Sequence, residues 1–266
     1  MYETTYHRPS GVDEAAALFA KGKEAKYLAG GHTLIPVMKQ RLASPSDVID
    51  LGKIKDLIGI EASADALTIK AATTHCDVAT SGPAQKAIPA LAYLASLIGD
   101  PAVRHRGTIG GSIANNDPAA DYPAAVLALG ATVKTNKRSI SADEFFKGLF
   151  STALADGEII TQVMFPIPAK AGYSKFPNPA SRFALTGVFV VKTRAGDVRV
   201  AATGASQSGV MRVPAIEAAL KANWSAGALD SVKISPDGLL TDIHGSSAYR
   251  ANLIKVMAQR AVTAAG

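Results

Sequence analysis

The chain has 266 residues, of which 48% are hydrophobic and 19% are charged, and its mean hydropathy is +0.15. This composition is typical of a globular protein with a large core and excludes a disordered chain. The formal net charge is +6, but Lys and Arg are spread along the sequence without forming runs. Nucleic-acid binding is therefore weakly supported, and a basic solvated surface is the simpler interpretation.

The cysteine content and the apolar runs indicate the cellular compartment of the protein. A single cysteine, Cys76, excludes an internal disulfide and a cysteine-ligated metal cluster within this chain. The segment Met1–Pro9 lacks the apolar run of a secretory signal. The longest apolar runs, such as Leu91–Ile98, are much shorter than the roughly 20 residues of a bilayer span. We expect a soluble cytoplasmic protein.

The first fifty residues place a glycine pair between a strand and a helix. A helix is predicted to begin near Ser10–Glu14, where acidic residues favour a first turn. Lys26–Ala29 is typical of a buried strand and leads into Gly30–Gly31. Thr33–Gln40 has apolar residues at helical spacing, and Pro36 suits that helix only in its first turn.

The middle of the chain predicts hairpins and helices around a second glycine pair. The predicted hairpins are Ile58–Glu61 with Ala66–Ala71 and Ala131–Asn136 with Arg138–Ser141, and the predicted helices are Ile88–Ile98 and Tyr122–Leu129, with Thr73 or Thr74 as the N-cap of another. The segment Arg104–Pro123 is rich in Gly, Ser, Thr and Asn. It is predicted to be a turn with exposed backbone N–H groups.

The remaining sequence predicts a separate lobe. Pro168–Pro179 contains several prolines and a glycine, so we expect a loop-rich joint and a domain boundary there. Beyond it, Phe183–Lys192 and Asp197–Thr203 are predicted antiparallel strands. Val213–Leu220 and Ala248–Val262 are predicted helices. Strands followed by helices favour a small α+β lobe.

Both glycine pairs have the chemistry to hold an anion. Glycine lets the backbone approach a ligand, and successive N–H groups can converge on phosphate oxygens. At Gly30–Gly31 a helix N-terminus adds a partial positive charge. Further donors flank the second pair, Gly110–Gly111: the hydroxyls of Thr108 and Ser112, with Asn115 or Asn116 for a sugar or a phosphate.

Each glycine pair taken alone is more often an ordinary tight turn. The chain also lacks the Gly-x-Gly-x-x-Gly pattern of dinucleotide-binding Rossmann domains and the Gly-x4-Gly-Lys-Ser/Thr pattern of P-loop enzymes. Neither of those two folds is supported.

The longer strings around the glycine pairs resemble a known family. Ala29–Pro36, followed by Val48–Leu51, is similar to the first FAD-contacting segment of the medium, flavin-binding subunits of the molybdenum hydroxylases. The second segment of that family, which includes aerobic carbon monoxide dehydrogenase and is related to xanthine dehydrogenase, is similar to Gly99–Pro101, Val103–Arg104, Arg106–Ser112, Ala114–Asn115 and Asp117–Pro123. The resemblance is greatest to the carbon monoxide dehydrogenase medium subunit and extends over essentially the whole chain.

The resemblance implies an α+β fold of the vanillyl-alcohol oxidase and p-cresol methylhydroxylase type. Two α+β lobes, residues 1–55 and 56–168, would clasp FAD. A C-terminal α+β lobe, residues 169–266, would follow them.

The resemblance also implies which residues contact FAD. The pyrophosphate-binding segments would be Ala29, Gly30, Gly31, His32, Thr33 and Leu34 together with Thr108, Ile109, Gly110, Gly111 and Ser112, and Asn115 is an added polar candidate. Asp121 would accept a hydrogen bond from a ribityl or ribose hydroxyl, and Ile160 and Lys175 would lie near the flavin or the adenine. The chain departs from many relatives at Pro177–Ala184, which lacks an arginine-rich run and an Asp-Phe/Trp-Ala string.

The implied function is electron transfer within a complex. Electrons from a molybdenum centre on a large, molybdopterin-binding subunit would pass through [2Fe-2S] clusters on a small subunit to this FAD and then to an external acceptor, in a dimer of heterotrimers. The single cysteine agrees, because clusters need thiolate ligands. Two alternatives are a self-contained flavin oxidase of the same fold and a non-redox scaffolding module.

Several isolated residues have simpler interpretations. His75 and Cys76 lack a second ligand at metal-binding spacing, so a packed helix start is favoured over a metal or nucleophilic pair. His105 lies between two arginines, where steering of an anionic cofactor and a solvated face are both open. Asp117 is predicted to be a structural cap, and Trp224 a core residue.

Overall fold

A computed structural model describes residues 1–266. The strands are β1 Thr5–His7, β2 Ala25–Leu28, β3 Asp47–Asp50, β4 Ile60–Ala62, β5 Ala66–Lys70, β6 Thr132–Thr135, β7 Ser139–Ser141, β8 Phe146–Gly148, β9 Ser151–Thr152, β10 Ile160–Pro166, β11 Lys170–Pro177, β12 Ala184–Lys192, β13 Val198–Ser206 and β14 Gly209–Arg212.

The helices lie between and after these strands. They are α1 Val12–Lys21, α2 Leu34–Lys39, α3 His75–Thr80, α4 Gly82–Ala87, α5 Pro89–Ser96, α6 Pro101–Arg104, α7 Ile109–Asn115, α8 Tyr122–Ala128, α9 Ala142–Phe145, α10 Pro214–Ala222 and α11 Ser247–Ala265. No helix combines the length and the apolar character that crossing a bilayer requires.

Three main sheets follow one another along the chain. In the first sheet, β1 and β2 pair with β3 in parallel. The second sheet is antiparallel with the order β4-β5-β10-β6-β7, and the third is an antiparallel meander, β11-β12-β13-β14. A two-stranded ribbon, β8-β9, completes the strands. The predicted α+β class is confirmed.

The hydrophobic cores cross from one sheet to the next. The largest core surrounds the second sheet but includes Tyr173 and Phe189 from the third. The core of the first sheet includes Ala72 and Ile159, which belong to the segments around the second sheet. Strand β12 is buried almost throughout because α8 packs against it as well as α11. The sheets therefore fold into one interlocked body.

Local signals predicted several elements. Thr74 caps α3 in a reciprocal capping box with Asp77. Pro36 lies in the first turn of α2, where its missing N–H costs nothing. The two hairpins predicted in the middle of the chain form as β4-β5 and β6-β7. These predictions are confirmed because each depends on residues close together in sequence.

The predicted loop-rich joint at residues 168–179 is wrong. Strand β11 occupies most of it, with Pro177 as its last residue, while Pro168 and Pro179 lie outside the strand. Gly172 is required within the strand because a side chain there would overlap the carbonyl of Ala261 in α11. The glycine marks a close helix contact, and the prolines mark only the ends of the strand.

The predicted turn at residues 104–123 is also incorrect. Residues 109–115 form helix α7, whose N-cap Thr108 accepts a hydrogen bond from Gly111 N. Gly110 and Gly111 therefore lie in the first turn of a helix. Helix propensity alone disfavours two adjacent glycines, and packing overrides it here.

A buried carboxylate ties β6 to the start of β10. Glu158 accepts hydrogen bonds from Arg138 Nε and Nη2, both at 3.0 Å, and from Thr135 Oγ1 at 2.7 Å. Its side chain is fully buried, although that of Arg138 is 51% exposed. The hydrogen bonds of Arg138 lower the pKa of Glu158 from 4.5 to about 2.

Replacement Glu158→Gln should remove an acid-sensitive part of the stability. Because the folded-state pKa lies below the unfolded value of 4.5, the charged carboxylate stabilises the fold above pH 4.5, and this contribution is lost as the pH falls toward about 2. We expect a cost of about 1–2 kcal/mol at pH 7 and a smaller cost at pH 3, measured by urea unfolding. Glu61→Gln, at an exposed carboxylate, is the control. Equal costs for Glu158→Gln at both pH values would contradict the prediction.

Candidate functional site

A cleft of about 640 Å³ lies where segments of the first and second sheets meet. Its size falls in the range of about 300–1,000 Å³ that is typical of ligand sites. Both glycine segments line it, together with apolar side chains such as Leu51, Val103 and Ile160. The cleft therefore combines backbone polar groups with apolar walls.

The two glycine segments contact each other through their backbones. A Cβ atom on Gly30 would overlap the carbonyl of Arg106 and lie 2.6 Å from Gly107 Cα. A Cβ on Gly110 would lie 2.6 Å from Ala71 Cβ. Gly30 therefore keeps the two glycine segments together, and Gly110 keeps the second segment against the residue that follows β5; a side chain at either position would open the wall of the cleft.

The first glycine segment presents unpaired N–H groups to the cleft. Residues Ala29–Leu34 all line it, and none of their N–H groups donates to a protein acceptor. Gly31 has a φ of +79°, a left-handed conformation that glycine tolerates without strain. Successive N–H groups in such a turn form a binding surface for an anion. This part of the wall has the predicted chemistry.

The second glycine segment contributes differently from the prediction. The N–H groups of Ile109 and Gly110 donate to the carbonyls of Thr73 and Ala71, and that of Gly111 donates to Thr108 Oγ1. These groups are satisfied within the protein, so they are not free for an anion. The segment instead presents the side chains of Ser112 and Asn115 to the cleft.

The structure distinguishes the two neighbouring asparagines. Asn115 lines the cleft. Asn116 is buried, and its Nδ2 donates to the carbonyls of Gly148 at 2.7 Å and Ser151 at 2.8 Å. Asn116 therefore holds the β8-β9 ribbon, and Asn115 is the one available to a ligand.

Asp121 lies at the base of the cleft in a buried network. Its carboxylate accepts a hydrogen bond from Tyr173 Oη at 2.5 Å and pairs with Lys175 Nζ at 3.0 Å. Burial raises the pKa of Asp121, against the opposing effects of Lys175 and Tyr173. The carboxylate thus joins the second sheet region to strand β11 while also lining the cleft.

Lys175 does not reach the cleft wall. Its ammonium donates to the carbonyl of Leu97 at 2.8 Å and that of Arg182 at 3.0 Å, in addition to Asp121. All three donors of the ammonium are therefore used inside the protein. Its side chain is only 4% exposed.

Most of the predicted contact residues meet at one place. Those that line the cleft are Ala29, Gly30, Gly31, His32, Thr33, Leu34, Thr108, Gly110, Gly111, Ser112, Asn115, Asp121 and Ile160. Ile109 and Lys175 do not line it. Ile109 points into the largest hydrophobic core instead.

The cleft also includes residues that sequence reasoning missed. His75 has an exposed fraction of only 5%, as the sequence predicts for a packed helix start. It also lines the cleft. Arg182 and Phe183 reach the cleft from the β11-β12 connection. The capping box at Thr74 locates the start of α3 in sequence, but only tertiary packing turns His75 toward the cleft.

The fold and the cleft define a class of protein. An α+β chain whose cleft is lined by unpaired N–H groups and apolar side chains is built to bind a large cofactor that carries phosphate. Residues 2–168 match the family model described as the FAD binding domain in molybdopterin dehydrogenase. The chain belongs to this family.

Known relatives agree over nearly the full length. The chain is 35% identical to the nicotine 6-hydroxylase medium subunit of Paenarthrobacter nicotinovorans, covering 98% of this chain and 96% of the relative. It is 34% identical to the carbon monoxide dehydrogenase medium chain of Hydrogenophaga pseudoflava, with the same coverage. The solved structure of reconstituted CO dehydrogenase from Oligotropha carboxidovorans matches with a TM-score of 0.89, 31% identity and coverage of 99% of this chain and 97% of that chain. The predicted family is confirmed.

Substitution Gly30→Ala should disturb the contact between the glycine segments. The added methyl group would overlap the Arg106 carbonyl, so we expect a loss of about 1–3 kcal/mol in the free energy of unfolding. Gly82→Ala is a matched control, because a Cβ there has no heavy atom within 4 Å. Urea unfolding of both variants tests this, and equal behaviour of the two would contradict it.

Substitution Lys175→Met should leave a buried carboxylate without its partner. We expect a loss of about 3–5 kcal/mol in the free energy of unfolding, because the buried carboxylate of Asp121 would lose its cationic partner. Lys221→Met, which removes an exposed ion pair with Asp197, should have little effect. Adding Asp121→Asn to Lys175→Met should recover part of the loss. A Lys175→Met variant as stable as Lys221→Met would refute this.

Proposed function

We propose that the chain is the FAD-carrying subunit of a molybdenum hydroxylase complex. The observation that carries this proposal is the run of unpaired N–H groups from Ala29 to Leu34 on the wall of the cleft. FAD carries a pyrophosphate, and converging N–H groups are suited to its oxygens. The family match over residues 2–168 supports FAD as the ligand.

The residues of the cleft fit the different parts of FAD. The N–H groups from Ala29 to Leu34 would hold the pyrophosphate. Ser112 and Asn115 offer polar side chains to hydroxyl groups of the ribityl chain or the ribose. Leu51, Val103 and Ile160 provide apolar surface that suits an aromatic ring system and excludes water from it.

In the redox process, the role of this chain is to bind FAD and to provide the surroundings of the cofactor. When bound, FAD supplies the redox chemistry, accepting electrons from iron–sulfur clusters of a partner subunit and releasing them to an external acceptor. The protein orients the cofactor through the glycine segments. Its single cysteine is consistent with clusters that are held by another chain.

The names of the relatives support a multi-subunit assembly. Both of the relatives cited above are medium subunits or chains. We infer a large molybdopterin-binding partner and a small iron–sulfur partner, arranged as a dimer of heterotrimers in the cytoplasm. We further infer three lobes, residues 1–55, 56–168 and 169–266, each carrying one main sheet.

The substrate of the complex belongs to another subunit in this proposal. The two relatives are named for nicotine and carbon monoxide, yet this chain is 35% identical to one and 34% to the other. Such similar identities fit a cofactor subunit that has no contact with the substrate.

Cofactor content tests the proposed function directly. The full chain, co-expressed with a large molybdopterin-binding subunit and a small iron–sulfur subunit, should purify yellow and release stoichiometric FAD on denaturation, identified by chromatography. Gly30→Ala should lower the FAD content and Gly82→Ala should leave it unchanged, because only the former alters the cleft wall.

The outcome that would overturn the proposal is a folded wild-type complex that takes up no flavin from excess FAD. Turnover of an organic substrate by this chain without partners would favour a self-contained flavin oxidase instead.

A further inference from the structure

His75 is a polar residue of the cleft for which the fold supplies no hydrogen-bond partner. It is the first residue of α3, and its backbone N–H donates to the carbonyl of Gly107 at 2.9 Å. The ring packs against Tyr122 with a centroid separation of 5.4 Å. Backbone pairing and ring packing therefore fix the imidazole at the cleft wall.

The two ring nitrogens have different surroundings. Nδ1 is sealed from solvent and has no partner in the protein. The Nε2 edge faces Gly107, and a Cβ on Gly107 would lie 2.6 Å from Nε2. Gly107 also lines the cleft. Nε2 also has no hydrogen-bond partner in the protein, but unlike Nδ1 it is not sealed from solvent.

The surroundings favour a neutral ring that carries its proton on Nε2. Burial lowers the pKa of His75 to about 4, and the neighbouring His32 and Arg104 side chains act in the same direction. A proton on Nδ1 would be a buried donor without an acceptor, which is rarer in proteins than an unsatisfied buried acceptor. Nε2–H is then the donor, on the nitrogen that solvent reaches.

The neighbours of His75 identify the part of the ligand that it faces. Gly107 contacts Gly30, which lies within the run of unpaired N–H groups. His75, Gly107 and the run from Ala29 to Leu34 all line the cleft. His75 and the N–H run therefore lie on the same part of its wall.

We propose that His75 is a cofactor-binding residue whose Nε2–H donates a hydrogen bond to a phosphate oxygen of the bound dinucleotide. This inference rests on the proposed function, because it takes FAD as the ligand. It assigns to Gly107 the role of admitting the imidazole, because a Cβ at residue 107 would overlap the Nε2 edge of the ring.

Two variants, each of which mimics one ring nitrogen of His75, test which nitrogen is the donor. Glutamine places its side-chain nitrogen near the position of Nε2, and asparagine places its own near Nδ1. His75→Asn should therefore weaken FAD binding by about tenfold or more, the usual size for a hydrogen bond to a charged group, whereas His75→Gln should stay near the wild-type value. The measurement is FAD titration of the full chain in its complex, monitored by flavin fluorescence.

A spectroscopic readout separates contact from a general structural role. In saturated samples, phosphorus NMR should give shifted pyrophosphate resonances for His75→Asn relative to the wild type and to His75→Gln. If His75→Asn does not fold, nitrogen NMR of labelled histidine in the wild-type complex decides, since FAD should shift the Nε2 resonance of His75.

The outcomes distinguish this inference from the proposed function. If His75→Asn binds FAD with the wild-type affinity and gives the wild-type phosphorus spectrum, the role of His75 is overturned and the proposed function stays intact. A wild-type complex that binds no FAD would overturn both. Equal weakening by His75→Gln and His75→Asn would also reject Nε2 as the donor.

Discussion

The cleft depends on one close contact, in which the backbone at Gly30 lies against the backbone of Arg106 and Gly107. No side chain fits between these segments, so two parts of the chain from different sheets can form one continuous wall. Beside this contact, the N–H groups from Ala29 to Leu34 have no protein acceptors and belong to residues that line the cleft. The close backbone packing and the groups available to a ligand therefore lie at the same place on the wall.

The third sheet positions part of the cleft wall through hydrogen bonds. Thr203 Oγ1 lies 2.9 Å from the carbonyl oxygen of Pro118 and 2.7 Å from that of Ala120, between which its single proton is shared, and Gly204 N donates to the carbonyl of Pro118 at 2.7 Å. Next to them, the buried pair of Asp121 and Lys175 spans the same boundary. The loop that carries Asp121 is therefore positioned by the C-terminal strands, which gives that sheet a role in shaping the cleft even though its strands lie outside the family match.

The two glycine segments look alike in sequence but offer different groups to a ligand. At Gly30–Gly31 the chain leaves a strand and has not yet entered a helix, so its N–H groups stay unpaired. At Gly110–Gly111 the chain is already helical, and neighbouring carbonyls take up the N–H groups. The sequence predicts an anion-binding turn at both pairs, because the acceptors at the second pair, the carbonyls of Ala71 and Thr73, come from a segment about forty residues away.

By itself, the sequence determined the α+β class, the capped start of α3, the hairpins and the family, because these depend on short-range patterns or on long strings that few families share. Tertiary structure decided which residues face the cleft. His75 and Asn115 line the cleft, whereas Asn116 is buried and Lys175 lies in a buried ion pair. The physical reason is that side-chain direction and hydrogen-bond satisfaction depend on partners distant in sequence, and local propensity carries no information about those partners.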